Sequence, residues 1–440
     1  MRNLRSFASL RMTFRIAPMN HPLRGAMSRE DLVSWYRAGR ARSAEVFAIP
    51  NPECYYDRPI SVRNPIVFYE GHLPAFCVNT LLKLALGKRG VDAEYERLFE
   101  RGIDPESEAG VKNASDLWPK RPDIQAYGAE VDRAIVRALL DDAIDRDDVP
   151  QLRGGESALA ILEHEQMHQE TLLYMFHNLP YEKKRARLPL KRVERPASSP
   201  GENRRISIPA GVATLGSSDP FGWDNEYPAH KVEVPAFAID RHNVSNGEFL
   251  AFIEATGAEP PHFWQRKKGQ WFWRGMFELI PLPLNWPVYA MQEQGEAFAR
   301  WRGGRVPTEA EYHRAAFGTP SGAERKFPWG DEVPDPTRGN FDFANWDPVP
   351  VGSYPSGASA WGVEDLVGNG WEWTSTTFDG FDGFKPMASY PVYSSDFFDG
   401  QHYVLKGASP ATARDLIRRS FRNWFRPNYP YLYATFRCAY

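Results

Sequence analysis

The sequence predicts an α+β protein of more than one domain, with an all-helical first half and a loop-rich α+β second half. Three observations predict it. Helical periodicity with start signals recurs through residues 28–180 and then stops. Short β-like runs bounded by Gly, Pro, Asn and Asp clusters take over after residue 205. Most of the 14 tryptophans lie beyond residue 220, so the two halves are built from different material. The length of 440 residues also exceeds one average domain.

Residues 1–27 carry several arginines, no acid and no continuous apolar stretch. They are expected to form a disordered extension; a transit-like peptide is the other reading, and a secretory signal is not supported. A helix opens at SREDLVSWYRAGR, with Ser28 as cap and Asp31 three residues on. Asn64-Pro65 predicts a second start, a capping Asn followed by Pro at the first helical position. That helix runs through IVFYEGHLPAFCVNTLLKLAL, with a kink or break at Pro74. Helices over 124–144 and 156–179 complete a four-helix bundle across 28–180. Residues 181–205 are basic, contain Pro196 and Pro200, and show no periodicity, which predicts a linker. From 206 to 440, RISIPAGVATLG and HKVEVPAFAID read as strands, and helices are expected over 245–257, 289–301 and 308–317. No repeat of fixed period is present.

Composition narrows the function. A net charge of −3 gives no broad basic surface for nucleic acid. No apolar run reaches the ~18–20 residues that cross a bilayer. Three cysteines, Cys54, Cys77 and Cys438, form no CxxC pair and no disulfide framework, which fits a reducing, cytoplasmic compartment.

The sharpest motif is His164-Glu165-Gln166-Met167-His168. Histidines four apart on a helix sit about 40° apart around its axis and can share one metal. Ile161, Thr171 and Met175 fall on the same stripe, which therefore faces inward. The HExxH shape admits a zinc hydrolase with Glu165 as base, although Glu165 lies roughly 100° from the His164 direction. A third ligand must come from another helix. His72, in Tyr69-Glu70-Gly71-His72, is the candidate. Imidazole suits Fe, Zn and Cu alike, so the donor set alone leaves the metal open. Glu170 lies off the stripe and is a candidate acceptor for a ring N–H.

The histidine set, as GH followed by HExxHQE, stands ahead of IPAGVATLGS, FGWDNEYPAHKVEV, VSNGEFLAFI, RVPTEAEYHRAAF, FPWG, GNGWEWT, VLKGAS and FRNWFRP…FRC. This ordered series, spanning about 45–440, resembles the non-haem iron sulfoxide synthases of ergothioneine and ovothiol biosynthesis. The resemblance implies a DinB-like four-helix domain, then a C-type-lectin-like domain of the formylglycine-generating-enzyme type. It implies iron(II) held by His72, His164 and His168, with O2 as co-substrate. The implied reaction joins a thiol sulfur to the imidazole of trimethylhistidine (hercynine). It implies that Tyr393 donates a proton or hydrogen atom and so steers the reaction away from thiol dioxygenation. It places Asn423 and Trp424 against the trimethylated substrate, where an aromatic face attracts a quaternary ammonium.

Three departures refine the expectation. Family members that use γ-glutamylcysteine carry an Asp and an Arg where this chain has Phe425 and Tyr429. A smaller donor, cysteine, is therefore expected, with Arg97, Arg101 and Arg426 as carboxylate partners. Met167 replaces a Gln that helps hold the substrate amine, and VLKGAS replaces VLRGGS. Sulfatase activation is not expected, because the second half holds only Cys438. Selenoneine synthesis with a selenosugar donor, ovothiol-type synthesis on histidine and zinc hydrolysis are the alternatives. Calcium is weighed at Asn369 and Glu372, and self-association is left open. A separate C–S lyase would take the product.

Overall fold

The computed structural model describes residues 27–100, 118–185 and 204–440. The N-terminal extension, Arg101 and most of the expected linker lie outside the described residues.

Helix α1 (Arg29–Val46) begins as its sequence dictates. The Ser28 hydroxyl accepts from the Asp31 N–H, and the Asp31 carboxylate accepts from the Ser28 N–H at 3.0 Å. Helix α2 (Ile66–Cys77) departs from expectation at its start: Pro65 is the N-cap, and no side chain caps it. Asn64 stands one position too early to reach the first free N–H groups. Pro74 sits inside α2 without breaking it, and the chain passes into a π-helix over Val78–Ala85. A short helix that the periodicity did not predict, α3 (Ala93–Leu98), is capped by Asp92. Helices α4 (Arg121–Asp141) and α5 (Glu156–His177) follow. α1 and α2 each pack on both α4 and α5, so the four long helices form a bundle.

The second half opens with β1 (Arg205–Ile208), β2 (Gly211–Leu215), β3 (His230–Val234) and β4 (Phe237–Asp240), paired β1 with β4 and β2 with β3. Helix α6 (Asn246–Thr256) has a Ser245/Glu248 capping box and stops at Gly257, whose φ of 74° favours glycine. A three-stranded sheet follows from β5 (Trp264–Lys267), β6 (Gln270–Arg274) and β7 (Leu279–Pro281). Helices α7 (Gln292–Trp301) and α8 (Glu309–Phe317) come next. The largest sheet contains β8 (Gly370–Thr377), β9 (Tyr403–Ala408), β10 (Asn423–Phe425) and β11 (Ala434–Thr435), in the order β10-β9-β8-β11. Its edge strand β10 and the 378–402 segment between β8 and β9 carry several of the residues that face the bundle.

One apolar core runs through both halves. It joins Leu73, Val131 and Ile161 of the bundle to Phe249, Trp273 and Trp373 of the second half. Helix α5 is the seam, buried along most of its length because both halves cover it. Several buried polar groups are fixed within the second half. Both oxygens of Glu372 accept from Arg437, at 2.7 and 2.6 Å. Asn369 bonds the Val349 backbone at both ends of its amide, at 2.8 and 2.9 Å. These bonds give Asn369 and Glu372, the two residues weighed for calcium, a packing role. Among the described residues, no helix is long and apolar enough to cross a membrane.

Candidate active site

A cavity of about 980 Å³ lies between the bundle and the second half. His72 from α2 and His164 and His168 from α5 line it. Their ligating atoms lie within 4.8 Å of one another, an arrangement that could hold a metal ion. The Nε2 atoms of His164 and His168 converge to 3.1 Å. His72 Nδ1 sits 2.8 Å from the Phe99 carbonyl. A carbonyl can only accept, so Nδ1 carries the proton and Nε2 offers its lone pair to the cavity. Phe76 stacks on His164 with centroids 3.6 Å apart, and Phe68 stacks on His72 at 5.0 Å. Burial, then the neighbouring imidazoles, hold the His164 pKa well below its ordinary value. Burial, then His72 and Arg63, do the same for His168. His164 and His168 are therefore ready as neutral ligands.

Ile161 and Met175 are buried as the inward stripe requires, and Thr171 lines the cavity. Glu165 points elsewhere. Its carboxylate accepts from Arg40 at 3.0 Å and from the Ser43 hydroxyl, inside the bundle. Glu170 does not hold a histidine in place, contrary to expectation. It accepts from Trp371 Nε1 at 2.7 Å, Ser409 Oγ at 2.6 Å and Thr412 Oγ1 at 2.8 Å, which ties α5 to the second half.

Tyr393 lies on the same cavity wall, and its hydroxyl donates to Met167 Sδ at 3.3 Å. Burial pushes its phenol pKa well up, reinforced by Asp224 and Glu226. Trp424 lines the cavity with one face covered by Phe378, at a 4.3 Å centroid separation. Asn423 also lines it, and its Oδ1 accepts from the Trp424 N–H at 3.0 Å. Phe425 stacks on Tyr429 at 5.3 Å. Arg426 reaches the wall while donating to Gln401 at 2.6 Å. Arg97 is exposed on α3 and does not line the cavity, which corrects its place among the carboxylate partners. The sequence reading missed Arg63. It lines the cavity and donates from Nε to Tyr429 Oη at 2.9 Å. It precedes α2 in an irregular stretch, where no periodicity marks it.

Residues 192–440 match the sulfatase-modifying factor enzyme 1-like domain. Hercynine oxygenase of Mycolicibacterium smegmatis is 36% identical over 375 residues, covering 79% of this chain and 83% of the relative. Hercynine oxygenase of Mycolicibacterium thermoresistibile is also 36% identical, over 70% of this chain and 73% of its own. The chain belongs to the hercynine oxygenase family. Ergothioneine biosynthesis protein 1 of Neurospora crassa is 28% identical over 86% of this chain, which spans 54% of that longer relative.

Proposed function

We propose that this chain is an iron(II)- and O2-dependent hercynine sulfoxide synthase with cysteine as its sulfur donor. It would work in the cytoplasm, with a DinB-like bundle supplying the ligands and a lectin-like half supplying the substrate wall. The observation that carries the proposal is the meeting of three imidazoles with the Tyr393 phenol in one cavity between the two halves. Names of the relatives point to hercynine as the imidazole substrate.

The donor set fits iron. Three imidazoles from two helices would hold the ion without adding negative charge, which would leave its full charge for a thiolate. Bound there by His72, His164 and His168, iron would activate O2 and bring sulfur and imidazole together. The overall change is balanced: an imidazole C–H, a thiol and O2 give the coupled sulfoxide and one water.

The chain's own residues supply the rest. Phe99 holds the His72 ring in its ligating tautomer through the Nδ1 contact. Phe68 and Phe76 cover the imidazoles and keep water from the far side. Tyr393 keeps its proton at neutral pH because burial disfavours the phenolate, so it can give that proton only to an oxygen that gains charge. Trp424 offers aromatic surface to a trimethylammonium group. Phe425 and Tyr429 present rings where a glutamyl-binding ion pair would stand, which favours a donor without that group.

The zinc-hydrolase reading loses its base, since Glu165 is engaged by Arg40 and Ser43. The test is anaerobic purification, Fe(II) loading, and addition of hercynine and O2 with cysteine, γ-glutamylcysteine and a selenosugar together. A cysteine-derived sulfoxide that disappears in His168→Ala is the expected result. Another donor in the adduct would overturn the donor assignment, coupling to plain histidine the acceptor assignment, and no O2-dependent product the whole proposal.

A further inference from the structure

Tyr393 is held by more than its own loop. Its ring stacks on Trp223, with centroids 4.1 Å apart and planes 28° apart. Trp223 is itself fixed at two points. Its indole N–H donates to Glu163 Oε2 at 2.9 Å, and its backbone N–H donates to Glu226 Oε1 at 2.9 Å. Arg418 joins the two carboxylates, donating to Glu163 at 3.1 and 3.0 Å and to Glu226 at 2.7 Å. Glu163 is the residue before His164. A buried chain of contacts therefore runs from the pocket tyrosine to the helix that carries two of the three histidines.

The cost of this arrangement points to its purpose. Glu163, Glu226 and Trp223 are at most 1% exposed. Burial alone would raise the Glu226 pKa, and the Arg418 guanidinium outweighs it, so this carboxylate and the guanidinium stay charged in the interior. Apolar side chains of similar volume commonly stabilise a fold as well or better. An indole N–H needs one acceptor. Two carboxylates and a guanidinium do more: they fix the indole from both its ring and its backbone, and leave it one orientation.

We propose that Trp223, clamped by Glu163, Arg418 and Glu226, is a positioning residue. It sets where the Tyr393 phenol stands relative to the three histidines, and so which of two O2-consuming reactions prevails. The chemistry rests on the synthase reading above; the geometry rests on the contacts alone. Two balanced outcomes compete. In coupling, imidazole C–H, thiol and O2 give the sulfoxide and water, so one oxygen atom must receive protons. In thiol dioxygenation, thiol and O2 give the sulfinic acid, both oxygens end on sulfur, and no water leaves. Only coupling needs a proton donor at a defined place. A phenol free to turn away from that place favours the sulfinic acid.

The experiment compares the full-length protein with Trp223→Phe and Trp223→Leu. Trp223→Phe keeps a ring face and loses the N–H; Trp223→Leu loses both. Three quantities are read: the ratio of sulfoxide to sulfinic acid, the iron bound per chain, and the ¹⁹F resonance of 3-fluorotyrosine placed at position 393 in the metal-free protein. The expected result is unchanged iron binding, a ratio at least tenfold lower in Trp223→Leu, an intermediate ratio in Trp223→Phe, and a moved and broadened fluorine line in Trp223→Leu. Loss of both products in proportion, with the ratio intact, would make Trp223 merely structural and overturn the proposal. A fluorine line unmoved in Trp223→Leu would overturn it as well. If Trp223→Leu does not fold, the Trp223→Phe ratio decides alone. A wild-type protein with no O2-dependent product would sink the synthase reading, and a moved fluorine line would still uphold the positional claim.

Discussion

The hydroxyl of Tyr393 donates to the sulfur of Met167, 3.3 Å away, although the two residues lie 226 positions apart. A thioether is a weak acceptor, so this contact parks the phenol without competing for its proton. Met167 also precedes the last histidine of the set, and Met167, His168 and Tyr393 all line the cavity. Met167→Leu keeps the volume and removes the acceptor. Stability should fall by less than about 1.5 kcal/mol, as in other volume-conserving exchanges, read by denaturant unfolding. Turnover should fall by less than about tenfold, because a loss near 1.4 kcal/mol is the most such an acceptor accounts for. A fall of a hundredfold would mean that Met167 contacts substrate directly.

Removing an imidazole tests the centre. His72→Ala and His168→Ala each leave two ring nitrogens where three converge. Loss of a mere outer partner lowers metal affinity about 10–100-fold, so loss of a ligand should exceed that range. Fe(II) content after equilibrium dialysis reads it directly. Retention of one iron per chain in His72→Ala would remove His72 from the ligand set. His177→Ala serves as control, since His177 bonds Tyr433 and the Arg274 carbonyl away from the trio.

Glu165→Gln separates the synthase from a hydrolase. The Arg40 guanidinium holds Glu165 at 3.0 Å and Asp132 at 2.9 Å, so the substitution leaves Arg40 one of its two carboxylates. Breaking a buried pair typically costs about 3–5 kcal/mol, and the surviving Asp132 contact should place this case near the lower end. The folded variant should keep its metal and its O2-dependent product. A stable, metal-loaded Glu165→Gln with no activity would restore the hydrolytic reading.

Much of this was legible in the residues. The i, i+4 spacing of His164 and His168 on an apolar stripe fixes their common direction from helix geometry alone. The capping boxes at Ser28 and Ser245 mark their helix starts through strictly local bonds. Asn64 misled because Pro65 took the cap itself. Glu170 misled because its partners, Trp371, Ser409 and Thr412, come from segments more than 200 residues away. The stacking of Trp223 on Tyr393 is of the same kind. It joins two distant loops of the second half, and no local pattern encodes that contact.

Stability should depend on pH through buried neutral histidines remote from the metal site. Burial, then the Lys184 charge, holds the His177 pKa well below its ordinary value. Burial, then Arg274, brings His262 to about 4. Burial, then Lys406, depresses His313. In the unfolded chain each titrates near 6.5. Below that pH the unfolded state binds more protons than the folded one, so stability is full above about pH 6.5 and falls as pH drops toward 4. Each imidazole contributes up to about 1.4 kcal/mol per pH unit. Unfolding of the metal-free protein at pH 7, 6 and 5 should show this loss, and His262→Gln should flatten the slope by one proton's worth. An identical slope in His262→Gln would show that this ring is already charged in the fold.

Donor choice is the most direct test of the cavity wall. Phe425 stacks on Tyr429, and the Arg63 guanidinium lies 6.0 Å from the first ring and 5.4 Å from the second. Phe425→Asp alone would set a carboxylate beside Arg63, where it would pair within the protein rather than with a donor. Tyr429→Arg alone would set a second cation beside Arg63 and remove the hydroxyl that accepts from it at 2.9 Å. Only the double variant offers both charges in balance. It should lower the KM for γ-glutamylcysteine by about tenfold, close to 1.4 kcal/mol, and raise that for cysteine. Steady-state kinetics with each thiol at saturating hercynine would read both changes. If the double variant folds, binds iron and keeps its preference for cysteine, donor selection is made elsewhere on the wall, and Arg63 becomes the residue to substitute next.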